Sequence, residues 1–456
     1  MKKLLFSALA TLTTLIAFGS HLMGGTIYLT CADDPATANT YEYTITLVLI
    51  RNQSGASAPS TPTIDIWGSN TPKYQMTLNA QSTIPVPGPR PYDIHTYTGT
   101  AALPVGQHLT VEWNLCCRPA GMLNLGNGQN SASFAFRIAA DISTMGSACN
   151  GTPIHIAPMS IIWPKHIPWA IAYTAYDFEG DSIHYSLDTS DPGPNATMAY
   201  VHPFSTPTGG VQIGPTSGVF TYEADSVGSF NTVIRMDAYD SAGVWTSTNR
   251  AEMHIEVINT SSGSNSLTFT PPSSVVNNRY QFRVGVPDTL ELSAQTAGTN
   301  IDATYFVPPN VDLNNIYFNT EIYKQAATVD VDFSWTPQAG QEGEEFPVVI
   351  RFQGDDWTYD YVFTVEGGAN NIGLAEADRP SVTIYPNPSS GQITVDFDRS
   401  MSKVQVLNMT GQVVLTREVS SSARTVRLSE FPNAGPYFIR LFDKNGDASS
   451  YVVIVE

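Results

Sequence analysis

Five acidic residues are candidates for a metal site because of their type and spacing: Asp177, Glu179, Asp181, Asp237 and Asp240. The first three alternate in a segment whose Gly180 would allow a tight turn. Calcium takes about six to eight oxygen ligands, and alternating carboxylates can supply several of them. These five side chains are therefore candidate ligands of a structural calcium ion, on condition that several of them converge. We favour the alternative, ordinary turn chemistry, in which each Asp accepts hydrogen bonds from nearby backbone amides.

Four cysteines are candidates for disulfide bonds: Cys31, Cys116, Cys117 and Cys149. All precede residue 150, which indicates one cross-linked domain in an exported protein. Four cysteines allow three pairings, and the sequence does not choose among them. We favour Cys116 and Cys117 each reaching a different partner, Cys31 or Cys149, because a bond between adjacent cysteines is strained. A zinc site is the alternative, although the spacing lacks paired C-x-x-C units.

The sequence contains no recognisable catalytic motif. The eight histidines include no H-E-x-x-H pair, and the G-x-S-x-G and glycine-rich phosphate motifs are missing. We therefore expect no enzymatic activity, with an unrecognised secreted hydrolase as the alternative. A deep pocket with converging histidines or carboxylates would favour that alternative.

The composition limits the partners of the chain. Its 456 residues include 41 acidic and 22 basic ones, a formal charge of -19, so nucleic acid is not an expected partner. Aromatic residues make up 11% and suit the cores of strands, which is the reading we favour. The alternative is that exposed Trp and Tyr stack on sugars, and a cluster of them on one concave face would favour glycan binding.

The first 19 residues have the pattern of a signal peptide. Lys2 and Lys3 precede an apolar run, and small residues near Gly19 suit cleavage there. The run is too short and too interrupted by threonines for a good spanning helix. No later stretch is long enough, so we expect no membrane span after cleavage.

Short segments of alternating apolar residues, separated by turns, predict an all-β chain. Residues 41–51, 253–257 and 393–397 are examples. We predict tandem β-sandwich modules of immunoglobulin-like or cadherin-like type. The predicted boundaries are a signal peptide (1–19), a disulfide-containing β domain (20–155), two sandwiches (156–259 and 260–367), a linker (368–380) and a C-terminal unit (381–456).

The C-terminal unit contains three motifs in a fixed order, in residues 384–391, 406–414 and 435–440. The motif positions are Tyr385, Pro386, Asn387, Pro388, Gly391, Gly411, Gly435 and Tyr437. With these motifs the unit resembles the type A sorting domain of the type IX secretion system. The resemblance implies export by the type IX machinery to the outer surface of a Gram-negative bacterium, or into the medium. In that family the tail is usually removed, and the cargo is anchored to surface lipopolysaccharide or released.

The front of the chain has a second set of characteristic positions, which include residues 21–25, Cys31, Trp113, the segment 116–118 and residues 175–187. With these positions it resembles a module of surface proteins from gliding and related bacteria. The loop at 177–181 is similar to cadherin-like calcium loops, and residues 333–337 resemble the turn of immunoglobulin-like repeats. These resemblances imply a surface structural or adhesive protein. Its expected partners are lipopolysaccharide, glycans or other surface proteins, and a glycan-binding protein is the alternative function.

Overall fold

A computed structural model describes residues 22–456, except residues 32–38, 87–90, 117, 126–129, 147–148, 160–161, 166–167, 192–197, 201, 203–210, 260–266, 299, 324–326, 355–356, 370–381, 409–411, 421 and 445–447. The predicted signal peptide and most of the predicted linker at 368–380 lie outside the described residues. Strands are the main elements of the described chain, with short 3₁₀ helices at Ser131–Ser133 and Leu313–Asn315. The predicted all-β class is confirmed. No helix in these ranges has the length and apolar character needed to cross a membrane.

The strands that precede residue 155 are β1 (Leu22–Cys31), β2 (Thr40–Asn52), β3 (Thr63–Gly68), β4 (Tyr74–Thr77), β5 (Asn79–Val86), β6 (Tyr92–Pro104), β7 (His108–Cys116) and β8 (Ala135–Ser143). The strands between residues 154 and 258 are β9 (Ile154–His155), β10 (Ile162–Pro164), β11 (Pro168–Ala172), β12 (Ala175–Tyr176), β13 (Ser182–Asp188), β14 (Gln212–Ile213), β15 (Val219–Glu223), β16 (Gly228–Tyr239) and β17 (Trp245–Ile258).

The next module contains β18 (Leu267–Phe269), β19 (Arg279–Arg283), β20 (Leu290–Thr296), β21 (Asp302–Phe306), β22 (Ile316–Tyr323), β23 (Thr328–Trp335), β24 (Glu345–Gln353) and β25 (Thr358–Gly368). The C-terminal unit contains β26 (Val382–Tyr385), β27 (Ile393–Phe397), β28 (Met401–Leu407), β29 (Val413–Glu418), β30 (Thr425–Leu428), β31 (Gly435–Asp443) and β32 (Ala448–Val455).

One large sheet crosses the predicted boundary at 155/156. Its strand order is β4-β3-β7-β8-β17-β1-β2-β6-β5, and β16, β13 and β10 extend it from β17. Near its start β17 pairs with β8, and further along with β1, where Gly24 opposes Met253. The first two predicted modules therefore share a strand, although their boundary as folding units stays a prediction.

Two glycines of β1 allow its close approach to both neighbouring strands, Gly24 to β17 and Gly25 to β2. A Cβ atom at Gly24 would lie 2.8 Å from the carbonyl oxygen of Glu252. A Cβ atom at Gly25 would lie 2.6 Å from the carbonyl oxygen of Val48. Because both neighbours are backbone atoms, only glycine allows the strands to approach this closely.

Alternation along the strands builds the cores. β20 and β23 bury every second residue, so the sheets β18-β20-β23-β22 and β19-β25-β24-β21 pack with their apolar faces together. The same core continues into the second module, whose Trp163 stacks on Tyr222 with ring centroids 3.7 Å apart. The second and third modules are thus joined by apolar packing.

An ion pair lies at the junction of the second and third modules. Asp360 accepts two hydrogen bonds from Arg351, at 2.7 and 2.8 Å. Its Oδ2 also accepts from the backbone N–H of Ala172, in the second module, at 2.8 Å. Both charged residues are buried, so the bond to Ala172 is protected from water.

The C-terminal unit has a core of its own. Its sheets, β26-β27-β30 and β29-β28-β31-β32, enclose a cluster made only of residues from this unit, including Val395, Val406 and Ile439. This is the arrangement expected of a small sandwich that folds as a separate unit.

Candidate functional site

The acidic loop begins directly after β12. Asp177 is 3% exposed, and its Oδ1 accepts hydrogen bonds from the backbone N–H groups of Glu179 and Asp181, each at 3.1 Å. Gly180 has φ of +83°, as the tight turn requires. This is the turn chemistry given above as the alternative to calcium.

The second oxygen of Asp177 is not used by the turn. Oδ2 is buried and has no hydrogen-bond partner among the described residues. Burial raises the pKa of Asp177 to about 7, against the opposing effect of its bond from the Asp181 amide. Burial also raises the pKa of Glu179, whose carboxylate lies next to Gly151. The two carboxyl groups therefore lie in a site that penalises negative charge.

The other predicted calcium ligands are engaged elsewhere. Asp181 accepts hydrogen bonds from Asn150 at 2.7 Å and Thr246 at 2.6 Å. Asp237 pairs with Arg235 at 2.7 Å, and Asp240 accepts from two backbone amides in the turn between β16 and β17. In the described ranges no three His, Cys, Asp or Glu side chains are arranged to hold a metal ion. Calcium binding stays a prediction, and its remaining basis is the buried oxygen of Asp177.

The disulfide pairing differs from the favoured one. Cys31, at the end of β1, is bonded to Cys149, with Cα atoms 6.0 Å apart. Neither can therefore be the partner of Cys116 or Cys117, and that expectation was wrong. The reason is topological: β1 brings Cys31 next to the segment after β8, a contact that spacing alone does not reveal. Cys117 and the side chain of Cys116 lie outside the described residues.

A polar surface covers one face of the large sheet between β3 and β13. Alternate residues of β7 and β8, such as Val111 and Ile138, point into the core, so their neighbours form the opposite face. Hydrogen bonds run across that face. Thr110 donates to Asp141 at 2.7 Å, and Arg250 donates to Asp141 at 2.8 Å and to Asp188 at 3.1 Å.

A buried ion pair supports this face from below. Arg118 and Glu252 are 0% and 2% exposed and in direct contact. Ser190 and Asn231 donate to the same carboxylate, at 3.0 and 2.8 Å. Burial lowers the pKa of Arg118 to about 10, which still leaves it charged at neutral pH. The pair connects the loop after β7 to β17, because the two residues lie on these elements.

The polar face contains a cavity of about 400 Å³. That volume lies within the range of small-molecule sites. Its lining residues are Trp67, Thr110, Arg137, Ile138, Ala139, Asp141, Asp188, Thr189, Ser190, Asp191, Val233, Arg235, Arg250 and Glu252. None of these was a predicted site residue.

One sequence signal could have indicated this face. Arg250, Glu252, His254 and Glu256 alternate with apolar residues in β17, in a chain with only 14% charged residues. Such a period-two charge pattern indicates a polar sheet face. The pattern could not show which other strands extend the face, because β8 and β13 are distant in sequence.

In the C-terminal unit, Asn387 connects the predicted motif to the last strand. Its Oδ1 accepts from the N–H of Ile454 at 2.8 Å, and its Nδ2 donates to the carbonyl oxygen of Val452 at 3.2 Å. Pro386 and Pro388 flank it, each after a cis peptide bond. Ser389 continues the contact, since its N–H donates to the Ile454 carbonyl at 2.8 Å.

The other motif residues shape turns and the core. The hydroxyl of Tyr385 donates to Asp396 at 2.7 Å, and that of Tyr437 donates to the carbonyl oxygen of Asn433 at 2.8 Å. Gly391 and Gly435 have φ values of +103° and +141°, which other residues rarely adopt. Gly411 lies outside the described residues.

Residues 383–456 match the family model described as the secretion system C-terminal sorting domain. The C-terminal unit is a type IX sorting domain. The predicted recognition is confirmed for this unit, and so is the predicted localisation, the outer cell surface or the medium. The sorting domain also implies contact with the type IX machinery.

Solved structures similar to this chain come from several sources. They include an ICAM-5 D1-D4 ectodomain fragment, at 10% identity over 91% of this chain and 95% of that chain, with a TM-score of 0.17. A Pseudomonas aeruginosa CupB2 chaperone has 11% identity over 39% and 97%, with a TM-score of 0.19. The mouse nectin-like molecule 4 ectodomain has 9% identity over 65% and 96%, with a TM-score of 0.17. No curated protein matches the chain.

Proposed function

We propose that this chain is a structural or adhesive protein of the bacterial surface, delivered there by its sorting domain. The observation that carries the proposal is the sorting domain at 383–456, because it places the preceding modules outside the cell. Those modules are suited to hold the cell surface at a fixed distance from whatever the protein binds. They share a sheet through β17, and an apolar core continues from the second module into the third.

The proposal assigns no catalytic step to the chain. Folds of stacked β modules serve many functions, so a specific role must come from a particular surface. The polar face around Arg250 favours the second candidate function, an extracellular glycan-binding protein, because it contains a cavity with an aromatic residue, Trp67.

Export is tested by removing the sorting domain. Cells producing the full chain are compared with cells producing a chain without residues 381–456, and the protein is located by fractionation. We expect the full chain at the surface or in the medium, with its mature C-terminus read by mass spectrometry, and the shortened chain in the periplasm. Equal export of both would overturn the proposed route.

Adhesion is tested with the opposite deletion. A chain lacking residues 22–368 retains the sorting domain and the predicted signal peptide. We expect it to reach the surface but to reduce attachment of cells to solid supports compared with the full chain. Unchanged attachment would remove the adhesive role while leaving export intact.

A further inference from the structure

The charges that line the cavity on the polar face are paired with one another or with charges directly behind them. Arg250 pairs with Asp141 and Asp188, and Arg137 pairs with Asp191 and Glu112. Arg235 pairs with Asp237, and Glu252 pairs with the buried Arg118. A site for a phosphate or sulfate would need unpaired positive charge, and a cation site would need unpaired negative charge. This pairing favours a neutral ligand.

The same side chains offer both donors and acceptors to a ligand. Arg250 uses its Nε and Nη1 in ion pairs, while a guanidinium carries five N–H groups in all. Thr110 and Ser190 donate their hydroxyl hydrogens to Asp141 and Glu252, so their oxygens can accept from a ligand, and Thr189 adds a further hydroxyl group. A ligand that matches this surface must itself carry groups that both donate and accept, and sugar hydroxyls are groups of that kind.

Trp67 supplies an apolar surface beside these polar groups. Its side chain is half-buried. The ammonium of Lys73, a residue that does not line the cavity, makes a cation–π contact with the indole, 5.0 Å from the ring centroid. An aromatic ring fixed in this way can pack on the C–H face of a pyranose ring. The combination of one aromatic ring and several polar groups is what a sugar ring requires.

The position of the cavity disfavours an extended peptide. A peptide that joins a sheet binds at an edge strand, where backbone groups are unpaired. The strands beneath the cavity are interior: β7 lies between β3 and β8, and β17 lies between β8 and β16. Recognition at this face therefore depends on side chains.

We propose that this cavity binds a segment of a neutral polysaccharide, with Trp67 stacking on one sugar ring and the Asp141–Arg250–Asp188 row bonding its hydroxyl groups. This inference rests on the proposed surface function and adds a ligand class to it. It needs that function only for the location, outside the cell, where the protein meets the ligand. Glycan binding by the purified protein does not depend on export, so the two can fail separately.

The test measures binding of the purified full chain to defined ligands by calorimetry. The probes are neutral polysaccharides (β-glucan, mannan and xylan), a sulfated polysaccharide and an unstructured peptide. The variants are Trp67→Ala, Trp67→Phe and Arg250→Gln. Arg279→Gln is the matched control, because Arg279 makes an exposed ion pair with Glu345 and neither residue lines the cavity.

We expect at least one neutral polysaccharide to bind, with about tenfold weaker affinity for Trp67→Ala and Arg250→Gln, a smaller loss for Trp67→Phe and no change for the control. If the variants do not fold, hydrogen exchange on the unaltered chain replaces them, and protection by the polysaccharide should be confined to β3, β7, β8 and β17. The proposal is overturned if no neutral polysaccharide binds, or if the sulfated probe or the peptide binds better. It is also overturned if the variants at Trp67 and Arg250 bind as the natural chain does and the polysaccharide does not protect β3, β7, β8 and β17 from exchange.

Discussion

At the scale of single residues, the calcium prediction depends on the buried carboxylate of Asp177. One of its oxygens holds the turn, and the other is buried without a hydrogen bond. A buried charge of this kind is costly unless a cation compensates it. The residue is therefore where calcium would have its largest effect.

We expect calcium to stabilise the full chain and the Asp177→Asn variant to lose that effect. A ligand at about a hundredfold excess over its Kd adds about 3 kcal/mol to the free energy of unfolding. Thermal unfolding with calcium and with chelator measures this. Asp312→Asn is the control, because that carboxylate is not a predicted ligand and only caps the 3₁₀ helix Leu313–Asn315. If the midpoint temperature of unfolding is the same with calcium and with chelator, the calcium prediction is wrong.

His254 should make stability depend on pH. Burial lowers its pKa from 6.5 to about 4, and neither ring nitrogen has a hydrogen-bond partner among the described residues. The folded state therefore resists protonation that the unfolded state accepts. The contribution of neutral His254 to the free energy of unfolding is complete above pH 6.5. It is lost as pH falls toward 4, by roughly 3 kcal/mol in total.

The measurement is urea unfolding at pH 7 and pH 5 for the natural chain and for His254→Leu. The variant should lose less stability over this interval. His184→Leu is the control, since His184 is exposed on β13. An equal loss in the natural chain and in His254→Leu would contradict the assignment.

At the scale of elements, the Cys31–Cys149 bond fixes the end of β1 to the segment after β8. It closes a loop with a sequence separation of 118 residues. Constraining so long a loop in the unfolded chain is worth about 5 kcal/mol. We therefore expect Cys149→Ser to lower the free energy of unfolding by an amount of that order.

Urea unfolding of Cys149→Ser and of the double variant Cys31→Ser with Cys149→Ser checks this prediction. Because both variants remove the same bond, they should lose the same stability. A double variant that is much less stable than the single one would show that Cys31 has another role.

At the scale of the whole molecule, the Arg351–Asp360 pair controls how the third module sits on the second. Asp360 is the acceptor for both Arg351 and the Ala172 amide. Replacing it by Asn leaves a buried guanidinium without its counter-charge. We expect Asp360→Asn to cost about 3 kcal/mol.

Two measurements test this role of Asp360. Urea unfolding gives the energy, and hydrogen exchange at the Ala172 amide reports the junction itself, where exchange should become faster. Glu345→Gln is the control, because its ion pair with Arg279 is exposed and should contribute at most about 1 kcal/mol. Unchanged exchange at Ala172 would mean that the junction does not depend on this bond.

The sequence by itself determined the strand-rich class and the sorting domain. Both depend on local patterns: period-two alternation, as in residues 393–397, and a motif of turn and core residues such as Asn387 and Gly391. The acidic loop was also found locally, since its turn needs only neighbouring residues. What such patterns describe is one strand or one turn at a time.

The tertiary structure decided which distant elements meet. β17 pairs with β1, so Thr26 bonds to Asn249 across 223 positions, and no local pattern encodes that pairing. The same long-range contacts join Cys31 to Cys149, place Arg118 against Glu252, and gather Trp67, Asp141 and Arg250 around one cavity. Alternation fixes which face a residue takes, but only the packed sheets fix its neighbours.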